Sequence, residues 1–259
     1  MSTSSSINHM RVARGPLSGL RWRLARYGVS DTLNAGGGRY IFSALNQLNL
    51  LALLHGTDKS SHSHGYAKYY AHHLSGLRFR KVRLVEIGVG GHEEASMGGS
   101  SLRMWRDYLP RAEIIGVDLH PKQLSRLGNR VQVLRCDQSD EEQLSNLMDL
   151  TGTPEVIIDD GSHVGSHVML SLTTLFPSLA PGGWYVIEDL HTTFLPEFID
   201  DTGTTPLDVV LSAARSVQDN DSTARRGLVD IPASLLSQVA AVHVYPGIAF
   251  IHKAGRPES

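Results

Sequence analysis

The sequence predicts an α/β fold: a Rossmann-like sheet, mostly parallel, with helices on both faces and a C-terminal antiparallel hairpin. Two observations lead to this fold class. From Arg83 onward, short apolar runs alternate with segments of helical periodicity, which is typical of parallel strands joined by crossover helices. Near the C-terminus, two apolar runs flank the turn Tyr245-Pro246-Gly247, which fits an antiparallel hairpin.

The strands are predicted where short apolar runs end in turn residues. The first run, RLVEIGV, is closed by glycines, and the fifth follows the turn Pro181-Gly182-Gly183. Five parallel strands are expected at residues 83–89, 112–117, 130–135, 156–158 and 184–187, and the hairpin strands at 240–244 and 248–252.

The helices are predicted from apolar residues that recur at helical spacing. The first spans about 40–54, because Leu45, Leu48 and Leu51 share one face before Gly56 ends the pattern. The remaining helices are expected at 101–108, 121–127, 141–150, 163–175 and 207–216.

Composition limits the class of protein. The chain has 259 residues, 41% of them apolar and 19% charged, as in an ordinary globular protein. Its net charge of −2 argues against nucleic acid as a partner, because phosphate binding needs a basic surface. The single cysteine, Cys136, excludes an internal disulfide and favours a reducing compartment. No stretch approaches the roughly 18 apolar residues of a membrane span, so we expect a cytoplasmic enzyme or binding domain.

The chain is expected to consist of a basic arm and one domain. Residues 1–37 form the arm and its linker, and five arginines without an acid lie between Arg11 and Arg26. Such an arm contacts a membrane surface or an anionic ligand, or it packs on its own domain or a sister subunit. Residues 38–259 form the single domain, with a polar insertion at about 195–232. Leu48 and its neighbours bury within one subunit or between two, and we expect a homo-oligomer.

A glycine loop closes the first predicted strand. Glu86, Gly88 and Gly90 belong to the run EIGVGG, whose glycines allow a ligand to approach the backbone at the carboxyl end of the sheet. Glu93 stands where a dinucleotide fingerprint has its third glycine. A diphosphate is disfavoured among these acids, whereas a cationic sulfonium ligand is not.

Polar residues also end the next two strands. Asp118 follows the second strand, where a carboxylate accepts both hydroxyls of a ribose. Asp137 and Gln138 follow the third strand and can contact an adenine edge. Together with the glycine loop, these side chains predict an adenosine site.

A second acidic cluster follows the fourth and fifth strands. Asp160 follows one strand, and Glu188 with Asp189 follows the other. Carboxylates that converge at one sheet edge, without cysteine, suit Mg²⁺ or Mn²⁺. The alternative is a helix cap by Asp160 or Ser162 and an unrelated solvated turn at Glu188-Asp189. His163 is the candidate general base, because a neutral imidazole beside a metal-bound hydroxyl can take its proton near neutral pH.

These motifs together resemble the metal-dependent O-methyltransferases that use S-adenosylmethionine to methylate sugars, both the macrolide type and the methylmannose polysaccharide 1-O-methyltransferases. The resemblance covers roughly residues 55–194 and implies a class I methyltransferase sheet. Seven blocks in the same order carry it: GTDK (56–59), VEIGVGG (85–91), GSSLRMW (99–105), GVD (116–118), DQSD (137–140), IDDGSH (158–163) and PGGWYVIEDL (181–190).

The resemblance also implies a role for each site residue. It implies that Asp160, Glu188 and Asp189 hold Mg²⁺ or Mn²⁺ and that His163 is the catalytic base. The residues implied to bind S-adenosylmethionine are Thr57, Lys59, Glu86, Gly88, Gly90, Ser101, Asp118, Asp137 and Gln138. Tyr66, His191 and Thr192 are the candidate acceptor-binding residues near the expected mouth of the pocket.

The implied reaction is methyl transfer to a sugar hydroxyl. The metal lowers the pKa of a bound hydroxyl while His163 removes its proton. Because the sequence shows no counterpart of the large amino-terminal domain of the macrolide enzymes, we expect the polysaccharide type, 1-O-methylation of a methylmannoside. Methylation of an antibiotic sugar is the alternative.

Three other functions remain open on the sequence alone. A nicotinamide oxidoreductase needs a glycine loop that accepts phosphate, which Glu93 argues against. An iron-dependent hydroxylase needs two histidines and one carboxylate, whereas acids outnumber candidate histidine ligands here. A binding module without catalysis would not require His163 beside the acids.

Overall fold

The computed structural model describes residues 44–218 and 228–256. The chain divides between Ser43 and Ala44, and the unit that begins at Ala44 is the one described. The predicted basic arm at 1–37 lies outside the described residues, as do the first residues of the helix predicted at 40–54. Residues 219–227 of the predicted insertion also lie outside them.

The centre of the described unit is a seven-stranded sheet in the order β3-β2-β1-β4-β5-β7-β6. Strands β1 to β5 are parallel, and β7 runs antiparallel to both β5 and β6. The strands are β1 Arg83–Ile87, β2 Glu113–Asp118, β3 Val131–Arg135, β4 Val156–Asp159, β5 Trp184–Ile187, β6 Val239–Tyr245 and β7 Ile248–Lys253. The predicted fold class, with its C-terminal hairpin, is confirmed.

Helices cover both faces of this sheet. They are α1 Ala44–His55, α2 Ala67–Leu74, α3 Ser100–Tyr108, α4 Glu141–Thr151, α5 Gly165–Leu175, α6 Pro206–Gln218 and α7 Ala233–Leu236. None of the helices in the described part of the chain has the length and apolar character that crossing a membrane requires.

Two apolar cores result, one on each face. Alternate residues of a strand point to opposite faces, so Leu84 of β1 joins one core and Val85 joins the other. The first core contains Leu48 of α1, Tyr70 of α2 and Trp105 of α3. The second is formed by residues of α4, α5 and α6 packed on the other face. This burial fixes the register of the parallel strands.

The register brings the carboxyl ends of four strands to one edge. Ile87 pairs with both Val117 and Asp159, and Asp159 pairs with Ile187. The loops after β1, β2, β4 and β5 therefore leave the sheet side by side. This is the edge at which open α/β sheets bind ligands.

The helix predicted at 121–127 is wrong. The backbone of residues 121–127 forms hydrogen bonds with distant segments and not within a helix. Gln123 N–H donates to the carbonyl of Ala95, and the Arg106 guanidinium donates to the carbonyl of Leu127. Arg126 also has a positive φ of 61°. The segment is an irregular loop packed through Leu124 and Leu127 against the first core.

Helix α2 was not predicted. Its buried residues are Ala67, Tyr70, Ala71 and Leu74, at positions i, i+3, i+4 and i+7. That spacing is a helical signal in the sequence, although His72 and His73 interrupt its apolar character. The helix matters for the site because it carries Tyr70 beneath the acidic edge of the sheet.

Candidate active site

A cleft of about 860 Å³ lies at the carboxyl edge of the parallel strands. It is lined by residues from every loop at this edge, including Thr57, Asp58, Lys59, Gly88, Gly90, His92, Glu93, Ser101, Asp118, Asp137, Gln138, Asp160, His163, His167 and Asp189. The cleft thus brings together most of the residues that the sequence predicted to form a site.

The glycine loop places bare backbone against the cleft. Gly88 has a φ of +85°, and a Cβ there would overlap the carbonyl of Asp160, so the loops after β1 and β4 touch backbone to backbone. Gly90 has a φ of +72°, and its Cβ would meet only the Cα of Gly98, at 4.0 Å. The loop therefore leaves room for a ligand beside Gly90.

Asp118 and Asp137 are held by hydrogen bonds from the backbone. The Asp118 carboxylate accepts bonds from His120 N–H at 2.9 Å and Val89 N–H at 3.3 Å. The Asp137 carboxylate accepts bonds from the hydroxyl and N–H of Ser139, which lower its pKa. A carboxylate has about four acceptor sites, so Asp118 and Asp137 can each accept further hydrogen bonds from the hydroxyls or amino groups of a ligand.

Gln138 links the part of the cleft that holds Asp118 and Asp137 to the loop after β4. Its Nε2 donates to Asp159 Oδ1 at 2.7 Å, and its Oε1 accepts a bond from Ser162 N–H at 2.9 Å. Burial raises the pKa of Asp159 to about 7, against the hydrogen bonds from Gln138 and Tyr185. Sequence reasoning missed the role of Asp159, whose buried contacts depend on the fold.

Glu86 lies beneath the cleft. Its carboxylate is fully buried and accepts bonds from the hydroxyl of Ser101 at 2.8 Å and from Trp105 Nε1 at 3.2 Å. Burial raises the pKa of Glu86, and the ammonium of Lys59 opposes this shift. Ser101 lines the cleft, whereas Glu86 is not among the lining residues.

Lys59 sits inside a group of three carboxylates. Its Nζ lies 2.6 Å from Asp160 Oδ2, 2.9 Å from Glu188 Oε1 and 3.5 Å from Glu86 Oε1. Burial alone would lower the pKa of Lys59, but the surrounding carboxylates raise it well above its ordinary value. Glu188 also accepts a hydrogen bond from the hydroxyl of Tyr70.

The acids predicted to bind a metal fall into two overlapping groups. In the outer group, Asp160, His163 and Asp189 each offer a donor atom, all within 4.8 Å of one another. In the inner group, Asp160 is joined by Glu86 and Glu188, and their donor atoms also lie within 4.8 Å of one another. Asp160 belongs to both groups.

Asp189 is surrounded by hydrogen-bond donors. Its Oδ1 accepts a bond from the hydroxyl of Tyr66 at 2.8 Å and lies 3.0 Å from His64 Nδ1. His163 Nε2 lies 3.7 Å from its Oδ2. Sequence reasoning missed His64, because nothing in the motif distinguishes it from the other exposed histidines of that segment.

The three acceptor candidates have different environments. Tyr66 is buried, and its hydroxyl donates to Asp189 and to the carbonyl of Gly247. Thr192 is also buried, and its hydroxyl donates to the carbonyl of Asp189. His191 is exposed, with its ring 5.8 Å from that of His64. Two of the candidates therefore support Asp189, and His191 faces solvent.

The comparisons with curated proteins point to one kind of enzyme. The 8-demethyl-8-alpha-L-rhamnosyl tetracenomycin-C 2'-O-methyltransferase of Streptomyces olivaceus is 39% identical over 206 residues, which are 78% of this chain and 53% of the relative. Mycinamicin VI 2''-O-methyltransferase of Micromonospora griseorubida is 34% identical over 78% of this chain and 51% of the relative. The chain spans about half the length of the curated relatives it matches. No family model matches it.

A solved structure agrees with these relatives. The MycE methyltransferase from the mycinamycin biosynthetic pathway, in complex with Mg and SAH, superposes with a TM-score of 0.71 at 33% identity, over 82% of this chain and 56% of that one. A second structure of that enzyme also holds mycinamycin VI, with a TM-score of 0.71 at 30% identity, over 96% of this chain and 65% of that one. This chain is similar to sugar O-methyltransferases.

Proposed function

We propose that this chain is an S-adenosylmethionine-dependent, Mg²⁺-dependent O-methyltransferase that acts on a sugar hydroxyl of a glycoside. The observation that carries the proposal is the continuity of the cleft. One cleft joins Asp118 and Asp137, which suit an adenosine, to the outer group of Asp160, His163 and Asp189.

The residues of the cleft fit the methyl donor. Acidic residues that line it include Asp118, Asp137 and Glu93. Such a field favours a cationic sulfonium and disfavours the diphosphate of a nicotinamide cofactor. The open space beside Gly90 suits a ligand that lies close to the backbone. This donor supplies an activated methyl group on a sulfonium sulfur.

The outer group fits a hard divalent cation. Of its two carboxylates and one imidazole, the carboxylate oxygens suit Mg²⁺ or Mn²⁺, and the imidazole remains available as a base. A non-haem iron site uses the opposite ratio, two histidines and one carboxylate, which counts against the hydroxylase alternative. A divalent ion held by Asp160 and Asp189, with Glu188 as the third ligand that the resemblance implies, would lower the pKa of a sugar hydroxyl bound beside it.

His163 is the proposed base. Its Nε2 lies at the outer group, 3.7 Å from Asp189 Oδ2, and its ring is only partly exposed. His163 accepts the hydroxyl proton while the sugar oxygen forms a bond to the methyl carbon and the bond from carbon to sulfur breaks. The products are the methyl ether, the neutral thioether and a protonated His163, which then returns its proton to water.

We propose a sugar attached to an apolar small molecule as the acceptor. Phe198 places its ring 6.0 Å from that of His163, and exposed Phe194 and Ile199 lie on the same segment. An apolar aglycone can cover such side chains. The named relatives act on rhamnosyl tetracenomycin and mycinamicin, which also favours this class. They give no support to 1-O-methylation of a polysaccharide, so the antibiotic-sugar alternative replaces that expectation.

Three expectations from the sequence stay predictions. They are the limits of the arm and domain, the homo-oligomer, and the cytoplasmic location. Analytical ultracentrifugation of the purified chain checks the oligomer directly.

Titration calorimetry tests the donor. S-adenosylmethionine and NAD⁺ are each titrated into the folded chain, with and without Mg²⁺. We expect S-adenosylmethionine to bind and NAD⁺ to give no signal. Absence of S-adenosylmethionine binding, in a sample free of copurified donor or product, would overturn the methyltransferase proposal.

A further inference from the structure

The loop at residues 91–98, which follows the glycine loop, contributes a wall of the cleft. His92 and Glu93 of this loop line the cleft, as do Asp118 and His120 at the end of β2 and just beyond it. None of residues 91–98 belongs to either apolar core, and the side chains of His92, Glu93 and Met97 are exposed. Apolar packing therefore does not hold the loop in place.

Hydrogen bonds from the loop after β2 hold it instead. The side chain of Lys122 is fully buried, and its Nζ donates to the carbonyl of His92 and, at 3.4 Å, to the carbonyl of Glu94. The next residue, Gln123, donates its N–H to the carbonyl of Ala95 at 2.8 Å. His92 has a positive φ of 44°, a conformation that persists only where contacts such as the one from Lys122 enforce it.

The same ammonium also faces Asp118. Lys122 Nζ lies 3.9 Å from Asp118 Oδ1, which is an electrostatic contact and too long for a hydrogen bond. Asp118 accepts its hydrogen bonds from the N–H groups of Val89 and His120. Lys122 therefore connects the loop at 91–98 to the carboxylate that is predicted to bind the ribose of the donor.

We propose that Lys122 is a positioning residue for the methyl donor: its buried ammonium holds the loop at 91–98 closed beside Asp118. Without this ammonium the loop keeps fewer restraints, so a bound donor loses part of its enclosure and dissociates more easily. The identity of the ligand rests on the proposed function, whereas the hold of Lys122 on the loop does not.

Titration calorimetry of Lys122→Met tests the proposal with two ligands. Methionine removes the ammonium and keeps most of the side-chain volume. S-adenosylmethionine carries a positive sulfonium, whereas the product S-adenosylhomocysteine has a neutral thioether. We expect the Kd of both ligands to rise by a similar factor of about 10, because hydrogen bonds from a charged donor are among the stronger ones in proteins. Lys81→Met, at an exposed lysine before β1, is the matched control and should leave both Kd values unchanged.

The two ligands separate positioning from a simple effect of charge. If Lys122 acted only as a positive charge near the cleft, its removal would tighten binding of the cationic donor and leave binding of the neutral product unchanged. That result, or unchanged Kd values for both ligands in folded Lys122→Met, would contradict the proposal. In turnover, the KM for the donor should rise while kcat and the KM for the acceptor change little.

Amide hydrogen exchange of the ligand-free chain makes the test independent of the proposed function. In Lys122→Met the amides of Gln123 and Met97, which donate to the carbonyls of Ala95 and Glu94, should exchange about 10-fold faster than in the unaltered chain. Equal exchange would mean that Lys122 does not hold the loop.

The unaltered chain shows which claim fails. If it binds neither ligand, the proposed function is wrong, while the exchange rates still decide whether Lys122 holds the loop. If Lys122→Met does not fold, Lys122→Gln takes its place in both measurements with the same expected directions, because glutamine lacks the charge and is one bond shorter.

Discussion

At the scale of single residues, backbone strain gathers around the cleft. Among the described residues other than glycine, four have a positive φ: His92, Arg126, His163 and Asp189. Three of them line the cleft. Such conformations cost about 1–3 kcal/mol each and persist where the surroundings enforce them. Tyr66 donates a hydrogen bond to Asp189, and the N–H of Ser162, next to His163, donates to Gln138 Oε1; these bonds supply that enforcement.

Replacement of His163 by alanine should reduce methyl transfer by about 10²–10⁴-fold, the usual contribution of a general base. The binding of S-adenosylmethionine should be unchanged, because the proposed function assigns His163 to the acceptor hydroxyl and not to the methyl donor. Initial rates with radiolabelled donor, together with calorimetry, measure both quantities. His62→Ala, at an exposed histidine, is the control. Full activity in His163→Ala would remove His163 from the mechanism.

Gly88→Ala should destabilise the protein by about 3 kcal/mol or more, because a new Cβ overlaps the backbone carbonyl of Asp160 and φ is +85°. Gly76→Ala is the matched control, since a Cβ there meets nothing within 4 Å and φ is not in the left-handed region. Urea unfolding of both variants gives the comparison. If Gly88→Ala were as stable as Gly76→Ala, the loops after β1 and β4 could move apart without a cost in stability.

At the scale of elements, the sheet was predictable and its irregular connections were not. Strand Trp184–Ile187 was predicted with its observed bounds because a buried parallel strand is a short apolar run between turn residues. The loop at 121–127 has an apolar pattern like a helix, but its hydrogen bonds go to segments distant in sequence. No local pattern contains that information.

The ammonium of Lys253 links the C-terminal strand β7 to the turn after α5. Lys253 Nζ donates to the carbonyls of Phe176, Pro177 and Leu179 at 2.8–3.0 Å, in the turn that follows α5. Each buried carbonyl left without a donor costs about 1–3 kcal/mol. Lys253→Met, which keeps the volume, should therefore lower the free energy of unfolding by about 2–4 kcal/mol in urea. Lys81→Met, at an exposed lysine, should change it little, and equal losses would exclude this role.

At the scale of the whole molecule, the residues of the site could be predicted better than their grouping. The sequence places Asp160, Glu188 and Asp189 at adjacent strand ends, and parallel register brings these ends together. Their division between an inner and an outer group depends on Lys59, Tyr66 and Tyr70. Those side chains arrive from a segment before β1, so their contacts follow from packing and not from a motif.

The contribution of His73 to stability should fall as the pH drops from 7 to 5, whereas Asp159, whose pKa burial raises to about 7, acts in the opposite direction. Burial lowers the pKa of His73 from 6.5 to about 4, and His243, His72 and His252 act in the same direction. Between these pH values the unfolded chain binds the proton and the folded chain does not, so stability is full above pH 6.5 and is lost toward pH 4. The ring is partly exposed, so solvent screening reduces the loss at pH 5 to about 1 kcal/mol.

Urea unfolding at pH 7 and pH 5 measures this contribution. The change in the free energy of unfolding from pH 7 to pH 5 should be more favourable in His73→Phe than in the unaltered protein by about that amount, because phenylalanine does not titrate and retains the stacking on Phe250. If the free energy of unfolding changed with pH in His73→Phe as it does in the unaltered protein, the pH dependence would belong to other groups.

The most direct test of the central claim is methyl transfer itself. The folded chain is incubated with radiolabelled S-adenosylmethionine and a rhamnosyl polyketide, in Mg²⁺ and in excess chelator, with a methylmannoside as the second acceptor. We predict label in the glycoside in Mg²⁺ and its loss in chelator. Transfer that continues unchanged in chelator, or label in the methylmannoside alone, would contradict a metal-assisted reaction on a sugar with an apolar aglycone.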